Sequence, residues 1–143
     1  MHYDNIKVGL GLVLLKDGKV LLSQRRVASN GFGEYGGPGG ALSPGESLTK
    51  SVLRELAEEC GSGIVVNNLR MICTINYRNG QSPTHWVGIG FCADYVSGEV
   101  VSVEPEKHTD WEWHPLDGLP DPLYWPMARY IEAYKTKQTL FEL

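Results

Sequence analysis

The chain has 143 residues, of which 13 are Lys or Arg and 17 are Asp or Glu, giving a formal net charge of −4. A chain of this length is expected to form one domain, residues 1–143, with its own hydrophobic core. The acidic balance disfavours a general nucleic-acid-binding surface, so no nucleic-acid polymer is expected as a partner. Neither a long apolar run nor a basic signal-peptide segment occurs, so no membrane association is expected.

The chain contains three cysteines, Cys60, Cys73 and Cys92. Their odd number and the lack of C-x-x-C spacing argue against a disulfide framework or a zinc site. We therefore expect three small core side chains in a protein of the reducing cytoplasm.

The first predicted elements form a β-hairpin followed by a helix. Apolar runs at Val8–Leu15 and Lys19–Gln24 flank the Lys-Asp-Gly segment 16–18, and Asp-Gly at such a junction is a strong hairpin signal. A glycine-rich loop follows the second strand. Leu48–Cys60 is then predicted as a helix that ends at Gly61.

The second half of the chain predicts three strands and a final helix. Strands are expected at Leu69–Tyr77 and Trp86–Val96, joined by the turn-rich segment 78–84, and a short strand within residues 109–116. Leu123–Lys137 is predicted as a helix, with a proline tolerated only in its first turn. This order of elements indicates an α/β or α+β fold with antiparallel pairing at its start.

The glycine-rich loop contains a short pattern typical of dinucleotide-binding proteins. Residues 31–36 match G-x-G-x-x-G. A dinucleotide site needs a strand directly before these glycines and a helix directly after them. Here six residues, 25–30, intervene after the strand, and the Gly-Pro-Gly-Gly that follows cannot start a helix. The pattern is therefore not interpreted as a dinucleotide site.

The first helix has two distinct faces. A core-facing stripe is predicted from four small or apolar residues, Leu53, Leu56, Ala57 and Cys60. A second arc of similar width carries Glu55, Glu58 and Glu59, spaced i, i+3 and i+4. Like charges at this spacing repel, whereas a hard divalent cation would reverse the sign of the interaction. On this helix alone, a solvated acidic face remains an equal alternative.

The residues around this helix match a longer pattern. From Gly40 the sequence reads G-(five residues)-E-(seven residues)-R-E-L-A-E-E-C-G. It closely resembles the signature of the Nudix hydrolases, G-x5-E-x7-R-E-U-x-E-E-x-G-U, where U is aliphatic. Eight of its nine defined positions match, and Ser62 replaces the last aliphatic residue, whose packing contact Ile64 is expected to supply. Residues 104–126 are also similar to a subgroup that hydrolyses nucleoside triphosphates, including modified purine forms.

The resemblance implies a Nudix α/β/α sandwich, with a mixed sheet and a loop–helix–loop motif. It also implies Mg²⁺-dependent hydrolysis, with Mn²⁺ as an alternative cation. By position in the motif, Glu58 and Glu59 should be metal ligands. Glu55 should be a ligand or the base that deprotonates water. Arg54 and Glu46 should form the pair that ties the helix to the preceding loop.

Further site residues are predicted from the same resemblance. An additional carboxylate ligand from a distant loop is expected to be Glu106, with Glu104 second and Glu112 third. Arg25 or Arg26, at the end of the second strand, is expected to face the substrate phosphates.

The substrate pocket is the least constrained prediction. Gly39 and Gly40 are expected to allow close backbone approach to the substrate. Five side chains are candidates to enclose a base: Trp125, Tyr124, Trp86, His85 and Phe32. Four others are expected to pack in the core or serve only structural or surface roles: Trp111, Trp113, His108 and His114.

The function predicted from these observations is hydrolysis of a nucleoside triphosphate, modified or not, to the monophosphate and pyrophosphate. An alternative is cleavage of a diphosphate conjugate such as ADP-ribose or a nucleotide sugar. A second alternative is a catalytically silent domain that binds a nucleotide or a protein. A small-molecule nucleotide is the expected partner, and a homodimer is possible.

Overall fold

The fold is a mixed β-sheet between two helices. The computed structural model describes residues 5–78 and 83–143, and residues 79–82 of the predicted turn lie outside this range. Its elements are β1 (Asn5–Lys16), β2 (Lys19–Gln24), β3 (Tyr35–Gly36), β4 (Gly39–Ala41), α1 (Leu48–Cys60), β5 (Val65–Tyr77), β6 (Thr84–Ser97), β7 (Glu112–Pro115), α2 (Trp125–Thr136) and β8 (Leu140–Glu142). Among the described helices, none is long and apolar enough to cross a membrane.

The sheet contains both parallel and antiparallel pairs. The main strand order is β3-β2-β1-β6-β5-β8, while β4 pairs with β1 and β7 pairs with β2. The long neighbours β1 and β6 are parallel, whereas β1 and β2 form the predicted antiparallel hairpin. Asp17 and Gly18 both have positive φ angles, 51° and 76°, as the tight hairpin turn requires.

Each face of the sheet is covered by one helix. Along β1, Leu10, Leu12 and Leu14 pack toward α1, while Val13 and Leu15 pack toward α2. This alternation follows from the two-residue period of a strand whose two faces are both buried. The predicted α/β/α sandwich is confirmed.

Several predicted boundaries and one predicted helix face differ from the structure. Helix α1 has the predicted bounds, but its buried residues are Ser51, Val52, Leu56 and Cys60. Leu53 is 38% exposed, so its placement in the core-facing stripe was wrong. The sheet contacts the i, i+4, i+8 row that starts at Val52, which leaves Leu53 at the margin of the interface.

Other differences concern the ends of elements. Strand β5 begins at Val65, four residues earlier than predicted, and α2 spans Trp125–Thr136. All three cysteines are buried and free, as predicted. Ile64 packs partly buried against the α1-side core, so it supplies the contact expected in place of Ser62.

Candidate active site

Helix α1 is held between two defined ends. The Ser47 hydroxyl accepts a hydrogen bond from the backbone N–H of Lys50 at 3.1 Å, which caps the N-terminus. Gly61 follows the last turn with a φ of 112°, a conformation that favours glycine. These caps fix where the helix begins and ends, and the packing of Val52, Leu56 and Cys60 against the sheet sets the direction of its acidic face.

Arg54 ties the helix to the preceding loop and to its own acidic face. Its Nε and Nη2 donate to the two carboxylate oxygens of Glu46, at 2.6 and 3.0 Å. Its Nη1 donates to Glu55 at 3.0 Å and to Glu58 at 3.1 Å. The bidentate guanidinium holds the pKa of the Glu46 carboxyl at about 2, well below its ordinary value. The pair predicted between Arg54 and Glu46 is present.

Glu59 is a partly buried carboxylate of the acidic face. Burial raises the pKa of the Glu59 carboxyl well above its usual range, and the hydrogen bond and negative charge of Glu55 raise it further. The backbone N–H of Gly39 donates to Glu59 Oε1 at 3.3 Å and opposes this shift. Glu58, by contrast, has a side chain that is 53% exposed. The carboxylates of the acidic face therefore differ in exposure, from the partly buried Glu59 to the exposed Glu58.

The glycines of β4 allow the sheet to approach the acidic helix closely. A Cβ atom on Gly40 would lie 2.3 Å from Glu55 Oε1, and one on Gly39 would lie 2.3 Å from the Leu10 carbonyl oxygen. No side chain fits at either position without displacement. The two predicted glycines therefore bring backbone, rather than side chains, against the carboxylates.

One cavity of about 640 Å³ connects the acidic helix to a group of aromatic side chains. At one end it is lined by Glu55, Glu58 and Glu59, with the backbone of β4 beside them. At the other end it is lined by Tyr77, Trp86, Tyr124 and Trp125. The Tyr77 and Trp125 rings are stacked, with centroids 4.1 Å apart and an interplanar angle of 23°. A ligand with charged and aromatic parts would match both ends.

Arg25 lies on the wall of this cavity, between the glycine-rich segment and α2. Its guanidinium is 4.0 Å from the centroid of the Tyr124 ring, and its Nε donates to the Asn30 carbonyl oxygen at 3.1 Å. Asn30 in turn donates to the Tyr124 hydroxyl at 3.0 Å. This network holds the Arg25 side chain in place and leaves its terminal nitrogens without a hydrogen-bond partner among the described residues.

Several predicted site residues do not line the cavity. Thr84, Trp86 and Gly88 line it, whereas His85 lies between them on the opposite face of β6 and contacts Asn76. Phe32 is 66% exposed and does not line it. Glu106 is also exposed outside the cavity, while the second choice, Glu104, lies on its wall. Arg26 donates to the Pro105 carbonyl oxygen on the surface.

Two residues assigned structural roles from the sequence also belong to the cavity wall. Trp111 packs against the α1-side core, as predicted, and its indole N–H donates to the backbone carbonyl of Glu59 at 2.9 Å. His108 is buried at 6% exposure, with its ring tilted against Trp111 at 4.6 Å between centroids. The contact between Trp111 and Glu59 has no local sequence signal, because 52 positions separate the two residues.

The donor set of the acidic face suits a hard divalent cation. Within residues 5–78 and 83–143, no three His, Cys, Asp or Glu side chains already converge on one point, and Arg54 holds both Glu55 and Glu58. The partly buried Glu59 carboxyl nevertheless lies against Glu55 and within the electrostatic influence of Glu104. A cation there would favour the charged forms that burial and mutual repulsion oppose. Glu55, Glu58, Glu59 and Glu104 are the residues that would hold it.

Comparison with known proteins places this arrangement in one family. The NUDIX domain model matches residues 6–134. The chain is 31% identical over 139 residues to the NAD-capped RNA hydrolase NudC of Stutzerimonas stutzeri, covering 96% of this chain and 47% of that protein. It is 38% identical over 109 residues to the NudC of Pseudomonas aeruginosa, covering 75% of this chain and 37% of that protein. The chain thus spans about half the length, or less, of these curated relatives.

Solved structures give the same result. A MutT NUDIX hydrolase from Burkholderia pseudomallei superposes with a TM-score of 0.83 at 32% identity, covering 91% of this chain and 98% of that chain. The NUDIX domain of Shewanella oneidensis NrtR, solved with ADP ribose, has a TM-score of 0.71 at 25% identity, covering 96% of this chain and 90% of that one. The chain therefore belongs to the NUDIX hydrolase family.

Proposed function

We propose that this domain hydrolyses a nucleoside triphosphate, modified or unmodified, to the nucleoside monophosphate and pyrophosphate, with Mg²⁺ or Mn²⁺ as cofactor. The observation that carries the proposal is the single cavity that joins the carboxylates of α1 to the aromatic side chains at its other end. A nucleotide has the same two-part character, with a polyanion at one end and a planar ring at the other.

Each end of the cavity has a separate task in this proposal. A bound divalent cation neutralises phosphate charge and makes water a stronger nucleophile. Glu55, Glu58 and Glu59 hold the cation, and Glu55 is also placed to orient or deprotonate the attacking water. Gly39 and Gly40 present backbone to the phosphates, because no side chain fits beside Glu55 at Gly40.

Arg25 supplies the positive charge that the protein itself directs at the substrate. The Arg25 guanidinium stacks on the Tyr124 ring, and its Nε donates to the Asn30 carbonyl oxygen. Its two terminal nitrogens can therefore donate to phosphate oxygens. Because this geometry exists before substrate binds, little side-chain entropy is lost when a phosphate is engaged. Arg25 is therefore assigned to phosphate binding.

A second candidate function is cleavage of a dinucleotide or a diphosphate conjugate. Two relatives named NAD-capped RNA hydrolase match the chain at 31% and 38% identity, and one structural relative was solved with ADP ribose. The cavity offers aromatic surface both at Trp86 and at the Tyr77–Trp125 stack, which suits a substrate with two ring systems. A capped RNA would be a polymeric substrate rather than the expected small molecule, and the net charge of −4 disfavours its binding.

A third candidate is a domain that binds a nucleotide or a protein without hydrolysis. The presence of Glu55, Glu58 and Glu59 together weighs against it, because their mutual repulsion serves no purpose without a cation. The buried thiols fit the proposed cytoplasmic setting. We also propose that the protein forms a homodimer.

The test is a product-resolved substrate panel with Mg²⁺. Nucleoside triphosphates, ADP-ribose, NAD and a nucleotide sugar are incubated with the protein and with Glu59→Gln, and products are separated by chromatography. Monophosphate plus pyrophosphate supports the main proposal, whereas release of AMP from NAD or ADP-ribose supports the second. Binding without turnover of any substrate supports the third.

The panel needs a matched control for the charge change. Glu132→Gln removes one carboxylate from α2, where Glu132 pairs with Arg129 outside the cavity. We expect Glu59→Gln to lose most activity and Glu132→Gln to keep it. Full kcat in Glu59→Gln would overturn the assignment of Glu59 to the cation.

A further inference from the structure

The floor of the aromatic end of the cavity is a patch of bare backbone. Gly9 and Gly11 of β1 lie beside Gly88 and Gly90 of β6 in parallel register. These four glycines remove every side chain from one area of the sheet on the α2 side. The space that they leave is occupied in part by a single ring, that of Tyr130.

Tyr130 of α2 is pressed against this glycine patch. A Cβ atom on Gly11 would lie 2.3 Å from Tyr130 Cε2, and one on Gly90 would lie 2.5 Å from Tyr130 Cδ1. At Gly88, a Cβ atom would lie 2.7 Å from the Tyr130 hydroxyl oxygen. The ring therefore covers Gly11 and Gly90, and its hydroxyl lies above Gly88, where the cavity begins.

The Tyr130 hydroxyl has no hydrogen-bond partner among residues 5–78 and 83–143. The residue is 3% exposed and lines the cavity, yet no described residue makes a hydrogen bond to its hydroxyl. The fully enclosed unpaired side-chain atoms in the described chain are Ser51 Oγ, Ser102 Oγ and His108 Nε2. The Tyr130 oxygen is not among them, so it retains contact with the cavity. A phenylalanine would satisfy the packing, and the hydroxyl therefore needs another explanation.

The surroundings of the hydroxyl define what it can bind. A Cβ atom on Gly9 would be 3.6 Å from the Trp86 ring, so Trp86 borders the glycine floor at Gly9. The Tyr130 hydroxyl borders the same floor at Gly88. The floor is glycine backbone, and the Tyr130 hydroxyl is a side-chain oxygen beside it. Burial raises the pKa of the Tyr130 phenol far above its usual value, so the group stays protonated and can donate a hydrogen bond.

We propose that the Tyr130 hydroxyl is a specificity-determining group that donates a hydrogen bond to an acceptor on the edge of a nucleobase lying over Gly9 and Gly88. The inference rests on the proposed function, since it assumes that the aromatic end of the cavity takes the base of a nucleotide. It assigns no chemical step to Tyr130, only recognition of the base.

The experiment measures binding separately from hydrolysis. AMP, GMP, CMP and UMP are titrated by calorimetry into the wild-type protein, Tyr130→Phe and Tyr134→Phe. Tyr134 is a matched control because it lies one turn later on α2 and does not line this cavity. We expect Tyr130→Phe to weaken the tightest monophosphate by roughly three- to tenfold, and Tyr134→Phe to leave it unchanged.

Stability distinguishes recognition from a structural role. Since the hydroxyl makes no hydrogen bond to the part of the chain that the structure describes, Tyr130→Phe should unfold at the wild-type urea midpoint or above it. Wild-type affinity of Tyr130→Phe for the tightest monophosphate would overturn the inference, as would a lower urea midpoint with uniform weakening of all four. Failure of the wild-type protein to bind any monophosphate at millimolar concentration would also overturn it. If the proposed function itself is wrong, the substrate panel shows no turnover of nucleoside triphosphates.

Discussion

The indole N–H of Trp111 donates a hydrogen bond to the backbone carbonyl oxygen of Glu59 at 2.9 Å. The last carbonyl groups of a helix lack partners within the helix, so this contact satisfies one of them at the end of α1. It also joins the last turn of α1, which carries Glu59, to the segment between β6 and β7, which carries Glu104. Trp111 is in this sense a positioning residue for both sides of the proposed cation site.

Replacing Trp111 with phenylalanine should separate this role from core packing. We expect Trp111→Phe to lower the free energy of unfolding by about 1 kcal/mol, because the Glu59 carbonyl oxygen loses the indole donor and keeps only the longer contact, 3.5 Å, from the backbone N–H of Val103. It should also raise the Mg²⁺ concentration that gives half-maximal activity. Trp113→Phe is the control, because Trp113 packs against the same core and its closest ring partner is Tyr95. An unchanged Mg²⁺ requirement in Trp111→Phe would contradict the positioning role.

The pair formed by Glu46 and Arg54 predicts a specific pH dependence of stability. The pKa of Glu46 is held at about 2 in the folded protein, below its ordinary value of 4.5. A lowered folded-state pKa means that the stabilisation is complete above pH 4.5 and is lost as the pH falls toward 2. The difference in urea midpoint between the wild-type protein and Glu46→Gln should therefore be constant near neutral pH and shrink between pH 4.5 and 2.

This pH profile has an internal control. Glu132→Gln removes a carboxylate that pairs with Arg129 at an exposed site, where both side chains are about two-fifths accessible. Exposed pairs of this kind contribute little to stability. If the difference in urea midpoint between the wild-type protein and Glu46→Gln did not vary with pH, the charge of Glu46 beside Arg54 would not stabilise the fold.

The acidic helix could be predicted from the sequence because the residues that define it are close together in the chain. The spacing of Glu55, Glu58 and Glu59 fixes them on one face of any helix, and Gly61 marks its end. The same locality explains the correct hairpin at Asp17 and Gly18. The sandwich then follows, since each predicted element has to bury an apolar face.

The parts that could not be predicted depend on pairing between distant segments. His85 and Trp86 are adjacent aromatic candidates, and only the register of β6 decides that Trp86 faces the cavity. The choice between Glu104 and Glu106 likewise depends on how their loop packs against the end of β2, where Arg25 bridges to His108. The role proposed for Tyr130 likewise depends on glycines in two strands that are far apart in sequence.

Gly40 predicts a substitution that affects the site more than the fold. A Cβ atom there would lie 2.3 Å from Glu55 Oε1, the end of a flexible side chain that can move aside. We therefore expect Gly40→Ala to keep nearly the wild-type urea midpoint while displacing Glu55. A displacement of about 1 Å at a reacting group can reduce the rate roughly 100-fold, which is the expected loss in kcat.

The matched control for Gly40→Ala is Gly63→Ala. A Cβ atom on Gly63 would meet nothing within 4 Å, and its φ angle does not require glycine. Gly63→Ala should keep both stability and activity. Wild-type kcat in Gly40→Ala would show that the close approach of β4 to Glu55 is not needed for catalysis.

Two loop carboxylates give opposite predictions for the additional cation ligand. Glu104 lines the cavity and adds to the negative charge at Glu59, whereas Glu106 is exposed outside it. Changes in the outer shell of a metal site cost 10- to 100-fold in affinity, so loss of a direct ligand should cost at least about tenfold. We expect Glu104→Gln to raise the half-maximal Mg²⁺ concentration by at least that factor, and Glu106→Gln to leave it unchanged.

The pairing of Glu104 with Lys107 sharpens this test. Lys107 Nζ lies 3.1 Å from Glu104 Oε2, so Lys107 competes with a cation for that carboxylate. Lys107→Met should therefore lower the half-maximal Mg²⁺ concentration while Glu104→Gln raises it, because the two changes act on one carboxylate in opposite directions. If Glu106→Gln instead raised the Mg²⁺ requirement and Glu104→Gln did not, the ligand would be Glu106, and the loop would have to rearrange when the cation binds.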